Sequence, residues 1–147
     1  GKPYPLDGTL HAFPTPESIA AVPLKRFLKT VRLGYRSIFV HILAERAASG
    51  NLDLEALLES ELPTPELKKK LLAIKGVGNY AAANLLMLLG RYDELAIDTV
   101  FRQFVHNKYF PGRHPSDSEA VAIYDQWGRW KYLAYWLDIW SDFKGEY

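Results

Sequence analysis

The residues that could do chemistry in this chain are a single carboxylate and a glycine-rich segment that precedes it. Asp98 follows Lys75-Gly76-Val77-Gly78 at a distance of about twenty residues and stands just before a run of helical residues. A carboxylate can act as a general base or stabilise a developing positive charge, and a glycine-rich turn before a helix can bind a phosphate. Asp98 is equally suited to be a plain helix N-cap, so residue types alone leave both roles open.

Residues 71–90 predict two apolar helices that are joined by a very tight turn. Gly76 and Gly78 are expected to allow positive φ and the close approach of another backbone, and Val77 to tuck between the helices. Backbone N–H groups at the start of the second helix would then be unpaired. Together with the positive end of the helix dipole, these groups could bind a DNA phosphate.

Helical spacing dominates the rest of the chain, and no convincing run of alternating strand residues occurs, so the predicted class is all-α. Capping signals are Thr15-Pro16-Glu17, Thr64-Pro65-Glu66 and the capping box of Ser116 with Glu119. We expect a single domain over residues 1–147, because there is no repeat, low-complexity tract or long linker. The predicted helices cover about residues 16–21, 24–32, 35–49, 54–60, 66–74, 79–89, 99–110, 119–127 and 129–143.

Composition removes several classes of function. The 147 residues are 48% hydrophobic and 24% charged, as in an ordinary globular domain. The absence of cysteine excludes a disulfide, a thiolate zinc site, a cysteine-ligated iron–sulfur cluster and a cysteine nucleophile. No apolar run is long enough for a membrane span and no secretory signal is present, so we expect no membrane partner and a cytoplasmic protein, nucleoid-associated if prokaryotic.

The charge is unevenly distributed, although the formal net charge of +1 is too small to indicate a polyanionic partner by itself. Either of the two basic stretches, taken alone, is also typical of a solvated helix face. The first stretch contains Lys25, Arg26, Lys29, Arg32 and Arg36, and the second contains Lys68, Lys69, Lys70 and Lys75.

Residues 71–104 resemble the signature of the helix-hairpin-helix DNA glycosylase superfamily, and the wider likeness is to the 3-methyladenine and 8-oxoguanine DNA glycosylases. The resemblance covers roughly residues 9–143 and implies a helical bundle or barrel. One departure is Ala96, where many members have proline. The other similar elements are His11-Ala12-Phe13-Pro14-Thr15-Pro16, Leu33-Gly34-Tyr35-Arg36 and Trp127-Gly128-Arg129-Trp130.

The resemblance implies base excision, with Asp98 at the mouth of a pocket that receives a base flipped out of the duplex. There its charge would stabilise the oxocarbenium-like sugar cation while it orients or deprotonates the attacking water. Bifunctional members carry a lysine at the position of Tyr80, and tyrosine cannot form a Schiff base. The resemblance therefore implies a monofunctional enzyme without lyase activity, which leaves an abasic site.

The resemblance also implies the residues of the base pocket. Tyr80 and Asn84 share a helix face and their counterparts face the flipped base, although helix packing is the alternative. Tyr135, Trp136 and Ile139 belong to an aromatic last helix, most of which is expected to be core. In 8-oxoguanine enzymes a glutamine and an aromatic residue occupy the positions of Tyr135 and Ile139, so this pocket favours cationic alkylated purines such as 3-methyladenine.

Double-stranded DNA containing a damaged base is the implied partner. By resemblance, Tyr35 would wedge into the duplex and Arg36 would hydrogen-bond the orphaned base, whereas the alternative is a helix cap with a surface salt bridge. Lys75 and the glycine-rich hairpin would contact phosphates. No cofactor or side-chain metal site is expected, apart from a monovalent cation that hairpin backbone carbonyls could hold.

Three other interpretations stay open at this point. The chain could excise 8-oxoguanine or a mismatched base, it could be a non-catalytic helix-hairpin-helix module that binds DNA, or it could be a purely structural bundle. Family members usually begin with additional helices before the element at residues 11–16. We therefore expect a shortened or truncated domain whose missing N-terminal helices a second chain could supply.

Overall fold

A computed structural model describes residue 2 and residues 10–143 of the chain. This described part contains nine α-helices and no β-strand, so the predicted all-α class is confirmed. A 3₁₀ helix, Asp125–Trp130, precedes the last α-helix. The α-helices are α1 (Pro16–Ala20), α2 (Leu24–Thr30), α3 (Arg36–Ala48), α4 (Glu55–Leu58), α5 (Thr64–Leu72), α6 (Asn79–Leu88), α7 (Thr99–Tyr109), α8 (Asp117–Ala122) and α9 (Lys131–Phe143).

Two of the three predicted capping signals are confirmed. Thr15 Oγ1 accepts a hydrogen bond from the Ser18 backbone N–H, and Ser116 with Glu119 forms the complete capping box. The prediction for Thr64 is wrong, because α5 begins at Thr64 itself and has no side-chain cap. The Thr64 hydroxyl instead donates to Asp93 Oδ1 at 2.9 Å, a partner 29 residues away along the chain.

The largest difference from the predicted helices lies between residues 119 and 130. The helix expected to reach residue 127 ends at Ala122, and the chain continues as the 3₁₀ helix. Gly128 then adopts φ +51° and ψ −122°, which is not a helical conformation. Only glycine adopts such a backbone without steric cost, so Gly128 separates this segment from α9.

The described residues fall into two compact units. The first contains the residues up to Ser60 together with Ile74–Gly76. Its core consists of Ile19, Phe27 and Ala44. His41 is buried beside them and its Nε2 hydrogen-bonds to the Val22 carbonyl at 2.8 Å. The prediction of a single domain stays a prediction.

The second unit contains Glu61–Ala73 and the residues from Val77 onward. Its core includes Phe101, Val105 and Tyr124, all fully buried. Phe101 and Val105 lie on α7, so the apolar side of this helix faces the core. That packing fixes the start of α7, where Asp98 is located.

A hydrogen-bonded carboxylate connects α9 to its neighbours in the second unit. Asp138 Oδ2 accepts from the hydroxyls of Tyr109 at 2.6 Å and Tyr124 at 2.7 Å, and Oδ1 accepts from Lys108 Nζ at 2.9 Å. Burial acts to raise the pKa of Asp138, but the hydrogen bonds from these three residues outweigh it and leave the pKa below its ordinary value. The network therefore holds α9 in register with α7.

No helix within residues 10–143 is both long and apolar enough to cross a membrane.

Candidate functional site

Asp98 is the N-cap of α7. Its backbone is extended (φ −129°, ψ −173°), and its Oδ1 accepts a hydrogen bond from the Phe101 N–H at 2.7 Å. The described residues supply no other hydrogen bond to this carboxylate. The side chain is half-buried, whereas Leu95 and Ala96 before it are buried. Asp98 is thus held by its own helix and keeps the capacity to accept further hydrogen bonds.

A cavity of about 310 Å³ opens beside Asp98 within the second unit. It brings together the predicted catalytic residue and all five predicted base-pocket residues. They are Tyr80 and Asn84 from α6, Asp98, and Tyr135, Trp136 and Ile139 from α9. This volume is within the range of small-molecule sites, which are mostly apolar with a few polar groups.

Four further residues line the cavity, and the sequence did not single them out for it: Ala96, Val100, Tyr132 and Trp140. Helical spacing could have indicated two of them, because Tyr132 and Trp140 lie three residues before Tyr135 and four after Trp136 and share their face of α9. Ala96 and Val100 flank Asp98 in sequence. No residue type marks these two for binding.

The lining residues differ widely in exposure. Tyr132 and Tyr135 are 2% and 7% exposed, and Ile139 is also buried. Tyr80, Trp136 and Trp140 are between 47% and 61% exposed. Buried residues therefore form the floor of the cavity, while large aromatic rings stand at its mouth, where a planar ligand could stack on them.

Asn84 carries most of the polar contacts inside the cavity. Its Oδ1 accepts from the Tyr132 hydroxyl at 3.0 Å, and its Nδ2 donates to the Tyr80 backbone carbonyl at 2.9 Å. Burial raises the pKa of Tyr132, so the hydroxyl stays protonated and acts as the donor.

Tyr135 contributes a hydroxyl that has no hydrogen-bond partner among the described residues, although the residue is 7% exposed. Burial, followed by the negative charge of Asp98, raises the pKa of Tyr135 to about 12. The hydroxyl is therefore neutral, and because it has no partner it can donate to or accept from a ligand in the cavity.

The hairpin partly matches its prediction. Gly76 has φ +93°, which confirms positive φ there, but a Cβ on it would lie 2.5 Å from Phe39 Cγ, so the close neighbour is a side chain and not the backbone that was predicted. The prediction for Gly78 is wrong in both respects. Gly78 has φ −99° with nothing within 4 Å of a Cβ, because it is the extended N-cap of α6. Val77 is half-buried and Lys75 is exposed.

The start of α6 is uncapped by any side chain. Its first intrahelical bond runs from Ala82 N–H to the Gly78 carbonyl at 2.8 Å. The N–H groups of the preceding first turn therefore have no helical partner, as the sequence predicted, and they stand at the positive end of the helix dipole.

Tyr35 and Arg36, which begin α3 in the first unit, are exposed, Tyr35 by 70%. The Arg36 guanidinium lies 4.8 Å from the centre of the Tyr35 ring. Neither part of the alternative interpretation is found in the described residues, since Tyr35 makes no side-chain cap and Arg36 forms no ion pair.

The basic residues singled out in the sequence are mostly unpaired. Lys68 donates to Glu94 at 2.7 Å, and none of the others in the two stretches forms an ion pair with a described residue. Those others are all exposed. These exposed basic side chains are therefore available to bind a polyanion.

Residues 10–143 contain no group of three or more acidic or histidine side chains that could hold a metal ion.

Comparison with known proteins identifies the fold. No family model matches the sequence, and no curated protein is significantly similar to it. The structure, however, has the fold of the helix-hairpin-helix DNA glycosylases, and the resemblance seen in the sequence is confirmed at this level.

The comparison rests on the solved structures of two proteins. MBOgg1 in complex with a low-affinity DNA ligand is 28% identical, with a TM-score of 0.71. The match covers 85% of this chain and 43% of MBOgg1. The 8-oxoguanine glycosylase/lyase of Clostridium acetobutylicum is 21% identical, with TM-scores of 0.68 bound to double-stranded DNA and 0.67 in its apo-form. The chain spans less than half the length of each.

Proposed function

We propose that this chain carries the catalytic site of a DNA glycosylase, which hydrolyses the N-glycosidic bond of a damaged base flipped out of duplex DNA. The observation that carries the proposal is the cavity in which Asp98 meets all five residues expected to receive the base. The fold shared with proteins solved in complex with DNA supports the same class of activity.

Asp98 has the chemistry that this reaction needs. As the bond between C1′ and the base breaks, positive charge develops on the sugar, and the carboxylate stabilises it. Water then bonds to C1′ and transfers a proton to Asp98, which leaves an abasic sugar. The hydrogen bond from Phe101 occupies only part of the acceptor capacity of this carboxylate.

We propose an alkylated purine such as 3-methyladenine as the base. The side chains that line the cavity include no lysine or histidine, and the raised pKa values of Tyr132 and Tyr135 make their hydroxyls weak acids. A neutral base needs a proton in order to leave, whereas a cationic alkylated base departs as a neutral molecule without one. Tyr80 and Trp136 at the mouth offer ring faces that attract a cationic base.

The enzyme is proposed to be monofunctional. A lyase step requires an amine that forms a Schiff base with the sugar, and the residue in the cavity at the family's lysine position is Tyr80. The products would be a free base and an intact strand with an abasic site.

Contacts to DNA are proposed at two further places. The uncapped first turn of α6 suits a backbone phosphate, and the exposed Lys75, which precedes α6 in the sequence, suits a phosphate contact of its own. Tyr35 and Arg36 are exposed and unpaired, so they suit insertion beside the vacated position and hydrogen bonding to the orphaned base.

A second candidate substrate is 8-oxoguanine, which the Clostridium acetobutylicum neighbour is named for. Tyr135 has a free hydroxyl that could hydrogen-bond this base. Because 8-oxoguanine is neutral, its release would require a proton that the cavity supplies poorly. We therefore rank it second.

The test incubates the protein with duplexes that contain an alkylated purine, 8-oxoguanine, uracil or mismatched thymine, followed by alkaline cleavage of abasic sites. We expect strand breaks in the alkylated duplex, and only after alkali. The Asp98→Asn variant keeps the helix cap and should bind DNA normally. Its excision should be at least about a hundredfold slower, the scale of a lost general base.

Three outcomes would change the proposal. Excision at a near-normal rate by Asp98→Asn would remove Asp98 from the catalytic role. Breaks only in the 8-oxoguanine duplex would establish the second candidate. Binding to every duplex without excision of any base would instead support a non-catalytic module that binds DNA.

A further inference from the structure

The polar contacts inside the cavity suggest which purines it accepts, a question that rests on the proposed function. We infer that Asn84, held in one orientation by Tyr132, makes the cavity select adenine-derived over guanine-derived bases. Tyr132 is a positioning residue in this account, and Asn84 is the residue that reads the base.

The orientation of the Asn84 amide follows from its two neighbours. Nδ2 lies 2.9 Å from the Tyr80 backbone carbonyl, and Oδ1 lies 3.0 Å from the Tyr132 hydroxyl. Rotating the amide by half a turn would bring Oδ1 against the carbonyl oxygen, and two acceptors repel each other. The neutral Tyr132 hydroxyl donates to Oδ1 and reinforces the same orientation.

The remaining capacity of the amide is one donor and one acceptor. An asparagine amide has two N–H groups and two oxygen lone pairs. The Tyr80 carbonyl uses one N–H and the Tyr132 hydroxyl uses one lone pair. One N–H and one lone pair are left for a ligand, and a locked side chain binds it without losing rotamer freedom.

Adenine offers such a pair in a fixed order. Its exocyclic amino group donates and the adjacent ring nitrogen accepts, which is the pattern that asparagine pairs with in nucleic-acid recognition. At the corresponding positions guanine presents either two acceptors, O6 and N7, on its major-groove edge, or the reverse order, the O6 acceptor and the N1 donor, on its Watson–Crick edge. An amide locked in one orientation cannot follow either pattern and leaves at least one of its own groups facing a group of the same kind.

The other polar groups in the cavity are consistent with this choice. The Asp98 carboxylate accepts hydrogen bonds only, and because adenine and guanine both carry an exocyclic amino group, it does not separate them. The Tyr135 hydroxyl can donate or accept and therefore does not discriminate. Selection between the two purines thus falls to Asn84.

The test uses one substrate that contains both kinds of base, duplex DNA methylated by dimethyl sulfate. Released 3-methyladenine and 3-methylguanine, which keeps O6 and N7 as acceptors, are quantified together, and each rate is divided by its spontaneous release without protein. Asn84→Leu removes the amide at similar volume, and Tyr132→Phe removes only the hydroxyl that holds it. Comparing ratios between proteins cancels the intrinsic lability of the two bases.

We expect the wild-type protein to favour 3-methyladenine, and Asn84→Leu to lower this preference about tenfold or more, the scale of a lost bidentate base contact. Tyr132→Phe should lower it in the same direction but by less. Tyr109→Phe is the matched control, because it removes a phenol hydrogen bond to Asp138 from a residue that does not line the cavity. It should leave the preference unchanged.

A second measurement, the binding of free bases, does not depend on the rate of excision, so it keeps the test valid if Asn84→Leu excises slowly because it has lost stability. Free 3-methyladenine and 3-methylguanine are titrated against the fluorescence of Trp136 and Trp140, which line the cavity, and Asn84→Leu should weaken binding of the adenine derivative only. An unchanged preference in Asn84→Leu, or a wild-type preference for guanine derivatives, would overturn the inference while the proposed function stands. If the wild-type protein releases neither base and binds neither, both are wrong.

Discussion

The Asp98 side chain accepts a hydrogen bond from the Phe101 N–H at 2.7 Å while the same carboxylate lines the cavity with Tyr80 and Tyr135. The two roles that the sequence left open are thus compatible in one residue. The cap fixes the rotamer of the side chain, and Phe101, which is fully buried, anchors the turn that the cap closes. A carboxylate held in this way loses little freedom when a substrate arrives.

The cap can be separated from the charge by a series of substitutions at position 98. Asp98→Asn and Asp98→Ser keep an oxygen that can accept from the Phe101 N–H, so we expect the free energy of unfolding to change little. Asp98→Ala removes the cap and should lower it by about 0.5–2 kcal/mol. Urea unfolding measures all three. Equal stability of the alanine and asparagine variants would mean that the cap contributes nothing.

The two hairpin glycines are expected to respond differently to alanine. Gly76→Ala places a methyl group 2.5 Å from Phe39 Cγ at a backbone with φ +93°, so the free energy of unfolding should fall by more than about 2 kcal/mol. Gly78→Ala meets nothing within 4 Å, so it should lower the free energy of unfolding only by the roughly 1 kcal/mol or less by which alanine is the poorer N-cap. Urea unfolding of the two variants and of the wild-type protein measures these changes in the free energy of unfolding.

The Gly78→Ala variant also tests the phosphate contact. A methyl group at the N-cap of α6 stands beside the unpaired N–H groups, so DNA affinity should fall while the protein stays folded. Leu88→Ala, an uncharged change at the other end of α6 where the side chain is 70% exposed, is the control and should leave DNA affinity unchanged. Unchanged affinity of Gly78→Ala would place the phosphate elsewhere.

Part of the site was predictable from local spacing, and the rest from the resemblance to the DNA glycosylases. Spacing indicated that Tyr80 and Asn84 share a face of α6, whereas the resemblance implied that they form a pocket with Tyr135, Trp136 and Ile139, and the cavity brings all five together. The spacing of Asp98 from the hairpin and the start of α7 were likewise local, since both follow from where helices begin.

The errors arose where a distant residue decides a local structure. Thr64 has the sequence context of a cap, but Asp93 takes its hydroxyl. The helix predicted over residues 119–127 ends at Ala122 and continues as a 3₁₀ helix, although the break at Gly128 falls between the two predicted helices. The Asn84 contact with Tyr132 spans 48 residues, and no spacing rule within either helix indicates it. At Thr64 and at Asn84 a tertiary contact, which local preference does not indicate, decides the hydrogen bonding.

The Asp138 network predicts a response to acid. The pKa of Asp138 in the folded protein lies below its ordinary 3.8, so its stabilising contribution is complete above about pH 4 and is lost as the pH falls through the folded value. Asp138→Asn should lower the free energy of unfolding at pH 7 by about 1–3 kcal/mol, since buried donors lose their acceptor. Below pH 4 the two proteins should converge.

Asp142→Asn is the control for this prediction. Asp142 is half exposed, and its Oδ1 accepts a hydrogen bond from Lys108 Nζ at 2.8 Å. We expect it to change stability by less than about 1 kcal/mol. Thermal melts from pH 3 to pH 7 measure all three proteins. Parallel curves for the wild-type protein and Asp138→Asn would show that Asp138 does not titrate as proposed.

The last prediction concerns an amine placed in the cavity. Tyr80→Lys puts a primary amine beside Asp98, where it can attack the sugar and form a Schiff base that borohydride reduces to a stable adduct. We expect a trapped protein–DNA complex from this variant and none from the wild-type protein. Leu88→Lys is the control, because residue 88 lies on the same helix but is 70% exposed and outside the cavity. An adduct with the wild-type protein would refute monofunctional chemistry, and equal trapping by both lysine variants would show that the cavity does not direct the attack.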